Sequence, residues 1–432
     1  MRICLIGAGN PSNNPRLLRE ADLLSQWHDV RVLCAGSGRA FGEADTHLLA
    51  RRSWNLHRID SARADWMPSE IGHLEWLQSV IARGRRRLAE EAFPYIKITR
   101  LAEYSCCATL PELRRLASAE SADLFIAHTQ PVLPAAAAAA KRWNAKLGFD
   151  CEDLLSEMGD RSCEAIRLIE RKYLKACDYI SATSQQMADY LVKTYGLAEP
   201  LLLYNVFPLS LAQGMAPPTS RPAHPRLRLH WFSQTIGLDR GLQDVFAACS
   251  GLSDVVEIHL RGRVSEEHKA ALLGAAERCG VASCLHFHPR VDHDELIRSM
   301  AEYDVGLALE RVQHRNYSLT VTNKVFAYML AGLAIVATDT PGQREVLSQA
   351  PEAGALYPTE VVSRLRETLE IWIKDREKLR RAQLASWEGA RSRFCWDIEQ
   401  KKFLEMLDRL SCGHAQHFHH GNLRNESHLD GH

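Results

Sequence analysis

The stretch NKVFAYMLAGLAIVATDTPGQREVL, from Asn323 to Leu347, decides the fold class of this chain. Up to Gly332 its apolar residues recur at the spacing of one helix face. Residues 334–338 then form a short, uninterrupted apolar run that is typical of a fully buried strand. A Thr-Pro-Gly turn begins a second helical pattern. A helix followed through one glycine by a buried strand is the unit of an α/β fold with parallel strands.

The same alternation of apolar runs and helical segments extends in both directions from this stretch. Strands separated by helix-length segments pair in parallel through right-handed crossovers. The predicted strands are 3–7, 30–34, 124–128, 146–150, 179–182, 201–204, 227–232, 256–261, 285–288, 305–309 and 334–338. We therefore predict an α/β fold with two doubly wound, Rossmann-like domains that face each other across a cleft.

The length and local composition predict where the chain is divided. With 432 residues it is longer than one hydrophobic core normally supports, so two domains are expected. Proline, glycine and serine are dense between residues 213 and 225, which indicates a linker. The predicted parts are an N-terminal domain 1–208, a linker 209–225, a C-terminal domain 226–385, a helix 386–411 and a disordered, histidine-rich tail 412–432.

The composition excludes several classes of function. Lys plus Arg number 53 and balance 53 Asp plus Glu, so no global positive field predicts nucleic-acid binding. The first residues, MRICLIGAGN, indicate a buried strand and a glycine turn rather than a secretion signal, and no apolar run approaches the roughly 20 residues of a spanning helix. The 12 cysteines lack the paired spacing of a metal site. We expect a cytoplasmic protein with neither a metal nor a nucleic-acid partner.

Two basic residues of the second half stand at predicted helix starts. Lys324 follows Thr322 and Asn323, where unpaired backbone N–H groups and the helix dipole favour an anion. Arg240 precedes Gly241 in HWFSQTIGLDRGL, and a guanidinium suits a diphosphate. One interpretation is a phosphate site. The other is a capped core helix with an exposed lysine and a solvated arginine.

Polar residues of the first half also follow predicted strands. Gly9 lies in GAGNPSNNPRLLRE, between a strand and the helix that holds Arg16, but the third glycine of a dinucleotide-binding fingerprint is missing. His128 ends one predicted strand, and Asp150 and Glu152 end the next. Carboxyl ends of neighbouring parallel strands meet at the cleft, so these residues form a candidate polar cluster. A histidine at a strand end more often has a structural role, and that alternative stays open.

The segment WLQSVIARGRRRLAEEAF, from Trp76 to Phe93, predicts a basic amphipathic helix. Its arginines lie largely outside the predicted apolar face. The residues of that face are Trp76, Leu77, Val80, Ile81 and Leu88. Such a helix either lies on an anionic membrane or packs its apolar face on the core with a solvated basic back, and the pattern does not separate these two interpretations.

Taken in order, the motifs resemble the retaining glycosyltransferases of family 4, whose two Rossmann-like domains form the GT-B fold. The resemblance covers nearly all of residues 1 to about 410. The segments that carry it are NNPRLLREADLLSQWHDVRVL, ADLFIAHTQ, AKLGFDCEDLLSE, IERKYLKACDYISATSQQMADYLVKTYG, YNVFP, FSQTIGLDRGL, YSLTVTNKVFAYMLAGLAIVATDTPGQREVL and SRFCWDIE. It implies transfer of a sugar from a nucleotide-sugar donor to an acceptor, with retention at the anomeric carbon and without a metal. It also implies that the helix 386–411 returns to pack on the N-terminal domain.

The resemblance implies roles for single residues. His128 is similar to the active-site histidine of the family, and Arg240 with Lys324 would stabilise the departing nucleoside diphosphate. The acceptor-side candidates are Arg16, Asp150 and Glu152. The donor-binding candidates are Gly9, Ser233, Gln234, Glu310, Thr322, Asn323 and Glu345.

The chain departs from the family pattern at the donor site. Ser233 and Gln234 stand where a Gly-Arg pair is usual, and Leu319 and Ala327 stand where the family commonly has two glutamates. We expect Glu310 and Glu345 to act as substitutes for those glutamates.

Two functions are therefore expected. The first is an active transferase that builds a surface polysaccharide or glycolipid on a glycan or lipid-linked acceptor, with peripheral contact to the inner membrane face through residues 76–93. The second is a catalytically silent protein that binds nucleotide-sugars. An epimerase of the same architecture is discounted because the ordered segments match the transferases.

Overall fold

The computed structural model describes residues 1–36, 52–60, 73–238, 240–311 and 313–421. Two parallel sheets confirm the predicted α/β fold with two doubly wound units. The strands of the first sheet are β1 (Arg2–Gly7), β2 (Asp29–Gly36), β3 (Asn55–Asp60), β4 (Leu124–His128), β5 (Lys146–Cys151), β6 (Tyr179–Ala182) and β7 (Leu201–Leu202). They pair in the order β3-β2-β1-β4-β5-β6-β7.

The second sheet is built in the same way from the second half of the chain. Its strands are β8 (Leu227–Thr235), β9 (Val256–Arg263), β10 (Leu285–His288), β11 (Val305–Ala308), β12 (Ala334–Thr338) and β13 (Gly354–Tyr357). They pair in the order β10-β9-β8-β11-β12-β13. The strand order reverses between β1 and β4 and between β8 and β11. In doubly wound sheets, ligands bind outside the carboxyl ends of the strands at such points.

Helices connect the strands. In the first unit they are α1 (Pro15–Leu24), α2 (His73–Ala92), α3 (Thr99–Cys106), α4 (Leu110–Ala119), α5 (Leu133–Trp143), α6 (Cys163–Tyr173) and α7 (Gln185–Tyr195). In the remainder they are α8 (Leu242–Ala248), α9 (Glu266–Arg278), α10 (His293–Ser299), α11 (Arg315–Leu319), α12 (Asn323–Ala331), α13 (Pro341–Leu347), α14 (Val362–Lys374), α15 (Arg376–Ser392) and α16 (Trp396–Gly421).

Helix α12 packs tightly on the second sheet. It ends at Gly332, whose left-handed backbone (φ 72°) suits glycine. The ring of Tyr328 lies against Gly306 of β11, where a Cβ atom would come within 2.1 Å of it. The Tyr328 hydroxyl donates to the carbonyl of His230 at 3.1 Å. The stretch from Asn323 to Leu347 therefore lies at the centre of the core of the second unit.

The sequence analysis missed two edge strands, β3 and β13. Strand β3, NLHRID, mixes apolar and charged residues, and β13 begins at a glycine. A half-exposed edge strand lacks the continuous apolar run by which the buried strands were recognised.

The last helix returns to the first unit, as the resemblance implied. Phe403 packs edge-on against Tyr179 with ring centroids 6.4 Å apart, and the guanidinium of Arg19 lies 5.7 Å from the Trp396 ring centroid. Helix α16 continues to Gly421, past residue 411 at which the sequence analysis ended it. No proline interrupts this segment, and a helix already formed propagates cooperatively. Of the predicted tail, only residues 422–432 lie outside the described residues.

The arginine-rich helix α2 buries a different face from the predicted one. Leu77, Ile81 and Leu88 are 47%, 54% and 69% exposed. The buried residues of α2 are Ser79, Ala82 and Ala89, whereas Trp76 and Val80 are half-buried. Of the two interpretations that the sequence left open, packing of Leu77, Ile81 and Leu88 on the core is therefore wrong. Small side chains are buried instead, because they allow the closer approach of neighbouring helices. Among the residues that the structure describes, none of the helices combines the length and hydropathy that a bilayer-spanning segment requires.

Candidate active site

The second unit holds a lysine–glutamate pair at the ends of two neighbouring elements. Lys324, in the first turn of α12, places its Nζ atom 3.0 Å from Oε1 of Glu310, which follows β11. The backbone N–H of Glu310 donates to Oγ1 of Thr338 at 2.9 Å. Both charged side chains are nearly buried. The pair thus fixes a cation and an anion where the strand ends of this sheet meet.

The start of α12 has backbone N–H groups available to an anion. Thr322 occupies the cap position but makes no side-chain capping bond, and Asn323 is exposed. The Thr322 hydroxyl lies 3.4 Å from Nζ of Lys324. A helix start without a side-chain cap beside an ordered ammonium group is suited to a phosphate.

Arg240 and Glu310 lie at the same small cavity. This cavity has a volume of about 90 Å³. Its lining residues are Arg240, Glu310, Arg311, Gln313, His314 and Tyr317. Arg311 is held by Asp244, with Nη2 3.2 Å from Oδ1. The structure therefore brings together Arg240 and the Lys324–Glu310 pair, which the sequence predicted at separate helix starts.

Ser233 and Gln234 lie at the carboxyl end of β8. Gln234 is exposed, and Ser233 is half-buried. Gly262 of β9 has φ +154°, and a Cβ atom there would come within 2.4 Å of the Ser233 carbonyl oxygen. The two strand ends therefore approach so closely that only glycine fits. The donor-binding role of Ser233 and Gln234 stays a prediction.

The first unit holds a buried network around His128. Nε2 of His128 lies 3.2 Å from Oε2 of Glu20, and Nδ1 lies 3.3 Å from Asp150 and 3.2 Å from Glu152. Arg16 donates to both carboxylate oxygens of Asp150, at 2.6 and 2.7 Å. His128, Glu20, Asp150 and Arg16 have almost no exposed surface. These side chains therefore do not reach the cleft in this conformation.

This burial bears on the roles expected of these residues. The polar atoms of His128, Arg16 and Asp150 face one another. In this conformation His128 therefore cannot contact a donor directly, and Arg16 and Asp150 cannot contact an acceptor. Glu152 alone in this group is partly open, with 17% of its side chain exposed. Glu20 was not identified from the sequence, although its position four residues after Arg16 places it on the same face of α1.

The network sets the protonation states of its members. Burial lowers the pKa of His128, but Glu20, Asp150 and Glu152 outweigh burial and hold the pKa well above its usual value. Burial raises the pKa of Asp150, but Arg16 and His128 reverse this and hold the pKa well below its usual value. The pKa of Glu20 is raised by burial. The surrounding carboxylates thus favour a protonated His128, which with Arg16 lies against the carboxylate of Asp150.

Glu20, His128 and Asp150 are also close enough together to hold a metal ion. Metal ligation needs a neutral imidazole and a free carboxylate. In the structure Arg16 already occupies both oxygens of Asp150, and the surrounding carboxylates favour a protonated His128. The donor set therefore fits an ion-pair network better than a metal centre.

Thr129, directly after His128, has a strained backbone. Its φ and ψ angles are 75° and 155°, a region that is almost restricted to glycine. Its hydroxyl has no hydrogen-bond partner among the described residues. Such strain occurs most often at functional sites, here at the strand end where the ligand side of the first sheet begins.

Gly7 and the donor-binding candidate Gly9 differ in their surroundings. A Cβ atom at Gly7 would come within 2.8 Å of Leu17, so Gly7 serves the packing of α1 on β1. Gly9 is exposed, and apart from its chain neighbours no heavy atom of the described residues lies within 4 Å of its Cβ position. Its donor-binding role stays a prediction.

Glu345 connects the two units. Its carboxylate accepts hydrogen bonds from the backbone N–H of Gln185, at 2.9 and 3.0 Å, and from the Tyr204 hydroxyl at 2.6 Å. A carboxylate is favoured at the positive start of α7. The lining of a crevice of about 740 Å³ includes Gln185, Tyr204, Arg344, Glu345, Arg393 and Lys402. Every oxygen of Glu345 is thus engaged with the first unit, which is not the environment of a free donor-binding group.

Ala327 and Leu319, which stand where the family commonly has two glutamates, have different surroundings. Ala327 is completely buried within α12, and Leu319 ends α11. The carbonyl of Leu319 accepts a hydrogen bond from the Ser184 hydroxyl at 2.6 Å. Ala327 packs in the core, whereas Glu310 lies at the cavity beside Arg240.

A comparison with family models bears on this geometry. Residues 15–203 match the family described as glycosyl transferase 4-like domain. The matched segment covers less than half of the chain. It contains the whole buried network from Arg16 to Glu152, whereas Arg240, Glu310 and Lys324 lie in the remaining part of the chain.

Solved structures extend the likeness beyond residues 15–203. Anabaena Alr3699/HepE in complex with UDP is 16% identical over 95% of this chain and 100% of that chain, with a TM-score of 0.66. Sucrose-phosphate synthase from Thermosynechococcus elongatus is 13% identical over 96% and 100%, with a TM-score of 0.68. The apo form of the lipopolysaccharide outer core galactosyltransferase WaaB is 12% identical over 95% and 99%, with a TM-score of 0.58.

At these identities the likeness shows the fold, which is the two-domain GT-B fold of glycosyltransferases. None of the curated proteins matches the chain by sequence. The chain thus has the GT-B fold, and its residues 15–203 are similar to a glycosyl transferase 4-like domain.

Proposed function

We propose that this chain is a retaining glycosyltransferase that moves a hexose-like sugar from a nucleotide-sugar donor to a glycan or lipid-linked acceptor. The observation that carries the proposal is the position of Lys324, Glu310 and Arg240 around one site at the strand ends of the second sheet. The similar Anabaena protein Alr3699/HepE forms complexes with UDP, with UDP and glucose, and with UDP-glucose. A uridine diphosphate sugar is therefore the first donor to test.

The donor diphosphate would bind at the start of α12. Departure of a nucleoside diphosphate develops negative charge, and fixed cations stabilise this charge without reorganisation. Lys324, Arg240 and the backbone N–H groups after Thr322 supply positive charge in the absence of a metal. Glu310 holds the ammonium group before the donor binds and then accepts hydrogen bonds from donor hydroxyl groups.

The sugar would face the first unit across the cleft. A retaining transfer through an oxocarbenium-like species requires the acceptor to approach the face from which the diphosphate leaves. Glu152 is the partly exposed carboxylate of the buried network. His128 contributes to catalysis by holding Glu152 in place and by keeping positive charge beneath the reacting sugar, while Arg16 and Asp150 fix His128.

The two domains would have different roles in the transfer. Residues 1–208 form the acceptor-side domain, residues 226–385 the donor-binding domain and residues 209–225 the linker between them. The pathway we propose is the biosynthesis of a surface polysaccharide or glycolipid in the cytoplasm. Exposed Leu77, Ile81 and Leu88 on the arginine-rich helix α2 support peripheral contact with the inner membrane face.

A second candidate function is a catalytically silent protein that binds nucleotide-sugars. Three observations favour it. The charge of Lys324 is already neutralised by Glu310, and His128 has no exposed surface. Leu319 and Ala327 also leave the donor sugar without the usual pair of carboxylates.

Calorimetric titration with nucleoside diphosphates and their sugars, followed by assays of donor hydrolysis and transfer, tests these functions. An enzyme binds one base selectively and hydrolyses its donor slowly without an acceptor. The configuration of the transferred sugar, read by NMR, then tests retention. Base-selective binding without any turnover supports the silent protein. Absence of binding to every nucleotide of the panel contradicts both functions.

A further inference from the structure

Helix α11 connects the two units through one buried side chain. The amide oxygen of Asn316 accepts a hydrogen bond from the backbone N–H of Leu154 at 2.8 Å, and its amide nitrogen donates to Oδ1 of Asp153 at 3.0 Å. Asn316 is 1% exposed, although it lies in a connection between β11 and α12. Both ends of the amide are thus used on the opposite side of the cleft.

The partners of Asn316 directly follow the polar network of the first unit. Glu152, which contacts His128, is adjacent in sequence to Asp153 and Leu154. A shift of this segment therefore moves Glu152 as well. Asn316 is therefore hydrogen-bonded to the segment that directly follows Glu152, the partly exposed carboxylate.

On the other side, the same helix forms part of the cavity wall beside Arg240. His314 and Tyr317 line that cavity together with Glu310. His314 also rests on Gly159 of the first unit, where a Cβ atom would come within 2.2 Å of the imidazole. The guanidinium of Arg315 lies 4.9 Å from the Tyr190 ring centroid. The cavity wall is therefore placed by contacts with the first unit as well as by its own sheet.

We propose that Asn316 is a positioning residue, whose two hydrogen bonds across the cleft align the cavity wall at Arg240 and Glu310 with the strand end at Glu152. The inference rests on the proposed function for its catalytic consequence. Its structural consequence, closure of residues 314–317 on residues 153–159, is independent of that function. An asparagine suits this position because one planar group accepts from a backbone N–H and donates to a carboxylate.

Hydrogen exchange of the peptide that contains Leu154, measured on the full chain without ligand, tests the closure. We expect Asn316→Ala to speed exchange of the Leu154 amide about tenfold or more, because that N–H loses its acceptor and the local opening becomes easier. Ser318→Ala is the matched control, since the Ser318 hydroxyl donates within α11 to the Arg315 carbonyl. Unchanged exchange in a folded Asn316→Ala protein overturns the proposal.

An exchange of donor and acceptor separates positioning from simple loss of packing. Asn316→Asp places a carboxylate against Asp153 and is expected to speed Leu154 exchange at neutral pH. The double variant Asn316→Asp with Asp153→Asn restores the donor–acceptor pair and is expected to restore protection. Failure of this rescue, with both proteins folded, contradicts the pairing as the cause.

The catalytic consequence is measured with the donor identified by titration. We expect Asn316→Ala to lower kcat about tenfold and to change KM for the donor much less, since the cations that bind the diphosphate remain. The double variant restores kcat. If no nucleotide binds the wild-type chain, the proposed function fails while the exchange result still decides the closure. An unchanged kcat contradicts the positioning role alone.

Discussion

Arg16 and Asp150 form a paired hydrogen bond of 2.6 and 2.7 Å in the core of the first unit, although 134 residues separate them. Arg16 comes from α1 and Asp150 from the end of β5. The Ser181 hydroxyl adds a third hydrogen bond to the same carboxylate at 2.5 Å. These bonds fix the strand end from which Glu152 reaches toward the cleft.

The Arg16–Asp150 pair is expected to dominate the stability of the first unit. Arg16→Met leaves a buried carboxylate without its cation, and we expect the free energy of unfolding to fall by about 3–5 kcal/mol. Urea denaturation measures it. Arg31→Met is the matched control, because Arg31 and Glu120 lie 2.7 Å apart but Arg31 is 52% exposed, and its loss is expected to cost less than about 1 kcal/mol. Equal losses in the two variants contradict this prediction.

The Glu20–His128 pair predicts a characteristic pH dependence of stability. The pKa values of both groups are raised in the folded state. A raised folded pKa contributes stability below the unfolded pKa, and this stability is lost as pH rises through the folded pKa. We therefore expect the free energy of unfolding to fall as pH rises, from about 4.3 for Glu20 and from about 6.5 for His128, which are the usual pKa values of these groups. Urea denaturation at a series of pH values measures the slope.

The double variant Glu20→Gln with His128→Gln removes both titrating groups. Its free energy of unfolding is expected to change much less over the same pH range, even if its absolute value is lower. The depressed pKa of Asp150 contributes stability with the opposite pH dependence. This contribution is lost only in acid, so it does not affect the free energy of unfolding in this range. An identical alkaline slope in wild-type and variant proteins would rule out the pair as its source.

Lys324 and Glu310 predict opposite effects on nucleotide affinity. Lys324→Ala removes a charged donor, and we expect UDP to bind about 10–100-fold more weakly. Glu310→Gln frees the ammonium from its carboxylate, so UDP is expected to bind more tightly while donor hydrolysis slows. Calorimetry provides both affinities. Lys374→Ala, at a side chain that is 78% exposed, is the control. Weaker UDP binding by Glu310→Gln contradicts the assigned site.

We expect helix α2 to contact anionic lipid. Ile81 and Leu88 are exposed next to Arg86 and Arg87, which bind only Glu90 and Glu91 at i+4 among the described residues. We expect the wild-type chain to sediment with vesicles of anionic phospholipid, and less so at high salt. Ile81→Ser with Leu88→Ser is expected to lose most of this binding. Ile371→Ser, at an exposed residue of α14, should retain it; equal loss in both would argue against α2 as the contact.

Local patterns predicted the strands and helices that fill the two cores. Residues 124–128 and 334–338 are continuous apolar runs, and their neighbours carry caps and turns that act within a few residues. The same patterns located Lys324 at a helix start and Arg240 at another, because these features depend only on nearby residues. Where an element is half-exposed, as β3 is, the local signal disappears.

The sequence by itself determined the α/β class, the order of the buried strands and the position of Lys324 at a helix start, since each follows from the spacing of apolar and capping residues along the chain. Only the tertiary structure decided that His128 is buried with Glu20, that Glu345 caps α7, that α2 exposes Leu88 and that Asn316 crosses the cleft to Leu154. Asn316 and Leu154 are 162 residues apart. Such contacts depend on how the two folded units pack together. The local spacing of apolar residues does not indicate which distant residue a side chain will contact.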